Sequence, residues 1–469
     1  MESVKRAAQD RPAMTGAMPR RQFLKTAAAA GAGLVILPSG ILSGAGARGA
    51  AGGTLRHASI GVGGMGAGDL GQIGGHPDVR IVALCDVDRG RLEQAAKKHP
   101  DAKLYQDWRE LLQKEGDGID SVNVTTPDHM HAPIVMTALR MGKHVYGQKP
   151  LCHDIHEVRQ LTEEAARRPR QATQMGIQVH SSIEYRTAVA MIQFGLIGKI
   201  QEVHSWSNKA WTGKKGEGER RPDRTNPVPD GLAWDLWLGT APERPFVKGI
   251  YHPSNWRRWI DFGTGTQGDM ACHIVDPVFA AIAFTAPEWV MSYRSPPFAE
   301  TYAPDNKIVH HFPGTKYTTG AIDYYWYDAG ALPESGDWPL PEGKLPGQGS
   351  MFIGEKGYIL LSHVGGPQPL PREKFTDDLK RFKEEVVLPD IPDHYKQFVE
   401  AALGRGKTTT PFSYSGPLTE TVLMGTVVNR FPEEKLLWDA KACRFTNKPE
   451  ANAHLRRTYR DEWRVEGLG

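Results

Sequence analysis

The sequence predicts an α/β chain of two domains, an N-terminal doubly wound parallel sheet followed by an α+β domain. Three observations predict it. At 469 residues the chain exceeds what one core ordinarily serves. Up to about residue 176, short apolar runs alternate with helical stretches, the spacing of a parallel sheet. Beyond that point apolar and polar residues alternate, as in strands with one covered face. The division reads as a leader over 1–47, a first domain over 54–176, a second over 177–430 and a C-terminal extension over 431–469. Hydrophobic residues at 40% and charged residues at 24% are a globular composition and exclude a wholly disordered chain.

The leader reads as an export signal. Lys5, Arg6, Arg11, Arg20, Arg21 and Lys25 against Glu2 and Asp10 give it +4, so the remaining body carries −1 of the chain's net +3. A near-neutral body argues against nucleic acid as a partner. Arg20-Arg21-Gln-Phe-Leu-Lys25 precedes a mildly apolar stretch from Thr26 to Pro38, and Ala45 and Ala47 offer a small-residue cleavage site. The adjacent arginines resemble a twin-arginine signal, with Pro19 where Ser or Thr is usual. The expected partner is the twin-arginine export machinery, and the expected location is periplasmic or secreted, membrane-tethered if the segment stays uncleaved. No apolar run approaches the roughly 20 residues of a membrane span. Cys85, Cys152, Cys272 and Cys443 lie far apart, which excludes a thiolate zinc cluster and favours buried free thiols. No dense ligand cluster suggests a metal site.

His57–Val62 reads as a buried strand running into Gly61-Val-Gly63-Gly64-Met65-Gly66 and a helix to about Gly74. A second strand, Val79 to Cys85, ends at Asp86, 20 residues past Gly66. Gly61 permits a tight turn, Gly63 lets a pyrophosphate approach the backbone, and Gly66 lets helix and strand pack closely. Asp86 would accept hydrogen bonds from the adenosine ribose and repel a 2′-phosphate, which favours NAD over NADP. Arg89 is the residue able to hold such a phosphate. A glycine triplet alone is a weak signal; strand, glycines, helix, strand and acid in register form a dinucleotide fingerprint of the Rossmann type. Further units follow: helices over 89–99, 107–114, 131–141 and 155–167, and strands over 103–105, 119–124, 144–146 and 171–175. Two loops then fall at the carboxyl ends of strands, where ligands sit in such sheets: Thr125-Thr126-Pro127-Asp-His-Met-His131 and Gln148-Lys149-Pro150.

With these loops the sequence resembles the glucose–fructose oxidoreductase / inositol dehydrogenase (Gfo/Idh/MocA) family, over about residues 55–430. The family's glycine fingerprint, acid after the second strand, T-P-x-x-x-H loop, E-K-P loop and D-x-x-x-H helix correspond to Gly61/Gly63/Gly66, Asp86, Thr126-Pro127 to His131, Gln148-Lys149-Pro150 and Asp269 to His273. Gln148 replaces the family's Glu; the lysine used at the catalytic centre is retained as Lys149. The resemblance implies a second domain with an open, mostly antiparallel sheet, helices on one face, and an outer face that forms a homo-oligomer, a dimer or tetramer. It implies cofactor contacts from Gly64, Met65, Thr126, Pro127, His131, Gln148 and Lys149 in addition to the fingerprint.

In the second domain, 200–206, 289–293, 307–312 and 318–326 read as strands, 351–361 as two strands around a turn, and 394–403 and 417–429 as helices. Asp269 and His273, four apart, share a helix face. Alone they would read as an N-cap and a core histidine; with the Gly263–Gly268 loop and the family match, they join Lys149 as a proton-transfer cluster facing the nicotinamide. The spacing does not choose the base among the three. Pro277 cannot donate to the carbonyl of His273, which predicts a kink. His180, Tyr251, His252 and Trp256 are the expected substrate contacts. Most of the six tryptophans between 206 and 259 read as ordinary packing, and Thr212–Pro229 as a long exposed loop.

The function expected is an exported oxidoreductase acting on a sugar, sugar acid or polyol hydroxyl, with NAD kept bound and recycled. The alternative is a glycoside hydrolase of the same fold that oxidises a sugar carbon transiently. Some glycosidases of the family lack the E-K-P lysine, so Lys149 tilts the reading toward the dehydrogenase, and the retained Lys149/Asp269/His273 set argues against a non-catalytic sensor.

Overall fold

The computed structural model describes residues 53–213 and 218–469, so the leader and its export motif lie outside the described residues. The first domain runs β1 (Leu55–Ile60), α1 (Met65–Gly74), β2 (Val79–Cys85), α2 (Arg89–Ala96), β3 (Lys103–Tyr105), α3 (Trp108–Glu115), β4 (Ser121–Val124), α4 (His131–Arg140), β5 (His144–Gly147), α5 (Ile155–Ala166) and β6 (Thr173–Met175). Every strand pair is parallel, and the order is β3-β2-β1-β4-β5-β6. This is the doubly wound arrangement whose direction reverses beside β1, and a ligand crevice forms at that reversal. All of β4 and β5 is buried, as parallel strands covered by helices on both faces must be. One buried polar residue is satisfied across strands. His57 of β1 meets Ser121 Oγ at 2.8 Å and Asn123 Oδ1 at 3.0 Å, and burial pushes its pKa down to about 4.

The second domain contains α6 (Ile183–Phe194), β7 (Ile200–Ser207), α7 (Trp234–Leu238), α8 (Cys272–Ile282), β8 (Trp289–Ser292), β9 (Asn306–Phe312), β10 (Ile322–Asp328), β11 (Gln348–Gly354), β12 (Gly357–Ser362), β13 (Pro367–Leu370), α9 (Thr376–Glu385), α10 (His394–Ala402) and α11 (Phe412–Val428). Two short strands follow, β14 (Leu436–Asp439) and β15 (Arg444–Phe445). The sheet order is β13-β12-β11-β7-β10-β9-β8-β14-β15, antiparallel except for β7 against β10. The predicted open, mostly antiparallel sheet is present. Its fourth predicted strand is displaced: Ile322–Asp328 replaces 318–326, because Thr315 and Thr318 close a hydrogen-bonded turn ahead of it. The hairpin over 351–361 appears as β11 and β12.

Helix α11 starts at Phe412, five residues before Pro417, so proline sits in its second turn. Pro277 likewise lies inside a continuous helix, and the irregularity expected at His273 falls one turn earlier, as a π-helical turn over Gln267–Ala271. Residues 431–469 supply β14 and β15 and then return to the first domain. There half-buried Arg457 donates to Glu157 Oε1 at 2.9 Å and to the carbonyl of His129. The four cysteines are free, three of them buried, as predicted.

Candidate active site

A cavity of about 330 Å³ opens where the two domains meet, lined from Gly61–Met65 and Asp86 at one end to Lys149, Asp269 and His273 at the other. Its floor requires the fingerprint glycines. Gly61 has φ +83°, and a Cβ there would lie 2.4 Å from the carbonyl of Thr125. A Cβ on Gly66 would stand 2.0 Å from the Gly61 carbonyl, so the first turn of α1 could not close on β1. Asp86 is buried at the end of β2. Its two oxygens accept from Val62 N at 2.9 Å and Asp88 N at 3.0 Å, which leaves a lone pair on each for a ribose hydroxyl. Arg89 is not on the lining; it donates to Gln106, which is. Arg91 lines the cavity instead, paired with Asp88 at 3.5 Å.

The second domain closes over this end. Leu232 bridges to Asp88, Ala233 N donates to Val87 O at 2.9 Å, and Arg89 N to Gly231 O at 3.0 Å. His252 lies 3.0 Å from Asp88 Oδ2, so of the expected substrate contacts this one sits at the ribose end. Trp256 lines the cavity beneath Arg257, whose guanidinium carbon is 4.4 Å from its ring centre.

Thr126, Pro127, His131 and Gln148 all reach the cavity wall. The His131 ring spans the two loops, with Nδ1 2.8 Å from Pro150 O and Nε2 2.9 Å from Thr126 O, so it fixes the loops to each other. Thr126 Oγ1 is buried and has no protein partner. A fingerprint turn, a ribose-ready carboxylate and an unsatisfied hydroxyl on one crevice fit a bound dinucleotide. Gln148 Nε2 donates to Asp69 Oδ2 at 3.0 Å, and Asp69 also accepts from Thr125 Oγ1 at 2.8 Å and Tyr395 OH at 2.9 Å. Sequence reasoning missed Asp69; an acid on the buried face of α1 was its one signal.

At the other end Lys149 Nζ donates to both Asp269 Oδ1 and Asp269 O, each at 2.8 Å. Asp269 also accepts from Trp211 Nε1 at 2.9 Å and Arg257 Nε at 3.3 Å. Burial pushes its carboxyl up, but Lys149 and Arg257 override that and hold it well below the usual carboxylate range. The π-helical turn carries Asp269 into this crowd of cations, and α8 presents His273 from its first turn. His273 Nδ1 is buried without a hydrogen-bond partner. Burial, and then the Lys149 charge, push its pKa well below that of a free histidine, so the ring is neutral. The structure therefore brings the predicted trio to one cavity wall. It does not bring His180 or Tyr251 there. His180 pairs with buried Asp276 at 2.9 Å, and Tyr251 packs edge-to-face against Trp259 and Phe262. Arg257 was not foreseen.

Two family models match, an oxidoreductase family with an NAD-binding Rossmann fold over residues 55–176 and its C-terminal alpha/beta domain over 177–285. The chain belongs to the Gfo/Idh/MocA oxidoreductase family. Its first domain is an NAD-binding Rossmann domain. A glycosyl hydrolase family 109 protein of Saccharopolyspora erythraea is 33% identical over 205 residues, 39% of this chain and 44% of that protein. An inositol 2-dehydrogenase of Salmonella typhimurium is 27% identical over 153 residues, 32% of this chain and 45% of that protein. The matched stretch thus spans less than half the length of these relatives. Among solved structures, the WlbA dehydrogenase of Bordetella pertussis, crystallised with NADH and UDP-GlcNAcA, has a TM-score of 0.56 at 14% identity, covering 82% of this chain and 99% of its own. The aldose-aldose oxidoreductase of Caulobacter crescentus has a TM-score of 0.54 at 12% identity, covering 82% and 100%. At such identities the likeness is one of fold.

Proposed function

We propose that this family member oxidises a hydroxyl of a sugar, sugar acid or polyol, with NAD retained and recycled on an exported protein. The observation that carries the reading is the Lys149–Asp269 pair at 2.8 Å beside a neutral His273 on the wall of a dinucleotide crevice. Asp269, ionised at neutral pH, holds Lys149 as an ammonium directed into the cavity wall. His273 takes the hydroxyl proton, because its ring is uncharged and lines the cavity. Lys149 faces the oxygen as negative charge builds on it, and Arg257 keeps Asp269 in place. The NAD held along the glycine turn supplies the hydride acceptor. NAD is favoured over NADP because a 2′-phosphate would meet the Asp86 carboxylate.

Retention is supported by the bridge from Leu232 to Asp88 and the His252–Asp88 contact, which cover the ribose loop from the other domain. A periplasm without a nicotinamide pool would require such retention, and the Arg20-Arg21 motif supports that location. An oligomer formed through the outer sheet face belongs to the same reading. A second reading, a glycoside hydrolase, is favoured by the 33% identical glycosyl hydrolase family 109 relative. Incubating purified holoprotein with free sugars and aryl glycosides decides between them. A lasting change in nicotinamide absorbance supports the oxidoreductase; aglycone release without one supports the hydrolase.

A further inference from the structure

A second cavity, of about 260 Å³, lies on the far side of His273, between the start of α6, the body of α8 and the ends of β11 and β12. Among the described residues, His273 is the one residue common to the linings of both cavities. The hydroxyls of Ser182 and Ser362 and the imidazole of His363 supply polar groups, and Pro277 and Val364 supply apolar surface. The His363 ring lies 5.5 Å from that of His273, centre to centre. Charge narrows the ligand further. Glu184 is the one carboxylate on the lining, and no lysine or arginine of the described residues lines it. An anionic group such as a phosphate or carboxylate would find no lysine or arginine of the described residues there and would meet Glu184. Hydroxyl donors and acceptors set among apolar patches suit the two faces of a neutral sugar ring.

We infer that the second cavity is a subsite for a neutral sugar unit linked to the unit that reacts beside Lys149 and His273, so the substrate is a glycoside longer than one ring. This rests on the reading that His273 faces the reacting carbon. The reacting ring occupies the end of the first cavity beside the His273 ring, and the attached ring passes His273 to lie against Ser362 and His363. No bond is made or broken in the second cavity. Its contribution is binding and orientation.

The test uses full-length holoprotein and paired probes: glucose with cellobiose, galactose with lactose, and mannose with mannobiose. Bound-nicotinamide absorbance reads the reaction, and ligand-observed NMR reads binding. Disaccharides should bind at least tenfold more tightly than their monosaccharides. Ser362→Trp and Val364→Trp, which fill the subsite, should each abolish that gain while leaving monosaccharide binding unchanged. Val364 is 86% exposed, so its replacement leaves folding intact. Equal binding of both members of every pair, a gain that survives both tryptophans, or no binding by any probe overturns the inference. If monosaccharides reduce the cofactor but disaccharides gain nothing, the subsite falls and the proposed reaction stands. If disaccharides bind, lose that binding in the tryptophan variants and never change the nicotinamide, the subsite stands and the proposed reaction falls.

Discussion

Gln148 donates to Asp69 across 3.0 Å in the buried interior of the first domain, one residue before Lys149. The pairing gives a physical reason for glutamine where the family has glutamate. Burial already pushes the Asp69 carboxyl up, and its donors from Gln148, Thr125 and Tyr395 work against that. A second carboxylate at position 148 would replace a donor with a like charge. Gln148→Glu should lose about 3 kcal/mol of unfolding free energy at neutral pH. Asp69→Asn combined with Gln148→Glu should recover most of it, which denaturant titration of the four-member cycle checks.

Lys149→Ala and His273→Ala should each lower turnover by roughly 10²–10⁴-fold with the cofactor still bound. Losses below about tenfold in both would mean that the two residues are structural. His273 must be neutral to take a proton, and its pKa is depressed. Activity should therefore persist below pH 6.5 and fall only as pH drops through the lowered value, an acid limb displaced from that of a free histidine.

Asp86→Ser should relax cofactor choice. The carboxylate that repels a 2′-phosphate would be gone, and Arg91 on the same cavity wall would be able to meet that phosphate. The ratio of NADP to NAD affinity should rise at least tenfold, read by competitive binding to apoprotein. An unchanged ratio would show that Asp86 does not set the preference.

Stability should fall on mild acidification. Burial holds His57 and His310 at about 4 and His129 and His394 at about 3. In the unfolded chain each titrates near 6.5, so between that value and the folded one the unfolded state binds more protons. The stabilisation is complete above about pH 6.5 and is lost as pH falls toward the folded values, by up to about 1.4 kcal/mol per pH unit for each histidine. Thermal melts at pH 7 and pH 5 check the sign.

The sequence carried the first domain well because its signals are local. The Gly61–Gly66 turn, Asp86 and the loops at Thr126 and Lys149 each sit at a strand end, and the parallel topology alone gathers them on one crevice. Contacts that cross the chain were hidden. Tyr395 reaches Asp69 from 326 residues away, and Arg257 reaches Asp269 from a single 3-10 turn, Asn255–Arg258, too short to show a periodicity. His180 was expected in the cleft, but α8 offers it the buried carboxylate of Asp276, a partner no spacing rule indicates. Tyr251 was likewise drawn into the aromatic cluster around Trp259 and Phe262, where packing determines its place. Helix α9, Thr376–Glu385, went unread because its charged sequence buries little but Phe382.

The central claim is a family oxidoreductase that keeps and recycles its own NAD, and desalted protein given sugars without added cofactor tests it most directly. The account predicts near-stoichiometric nicotinamide that survives dialysis, is reduced by one sugar and reoxidised by a second, with parallel two-substrate kinetics. A protein that purifies empty and consumes added NAD at every turnover would contradict it.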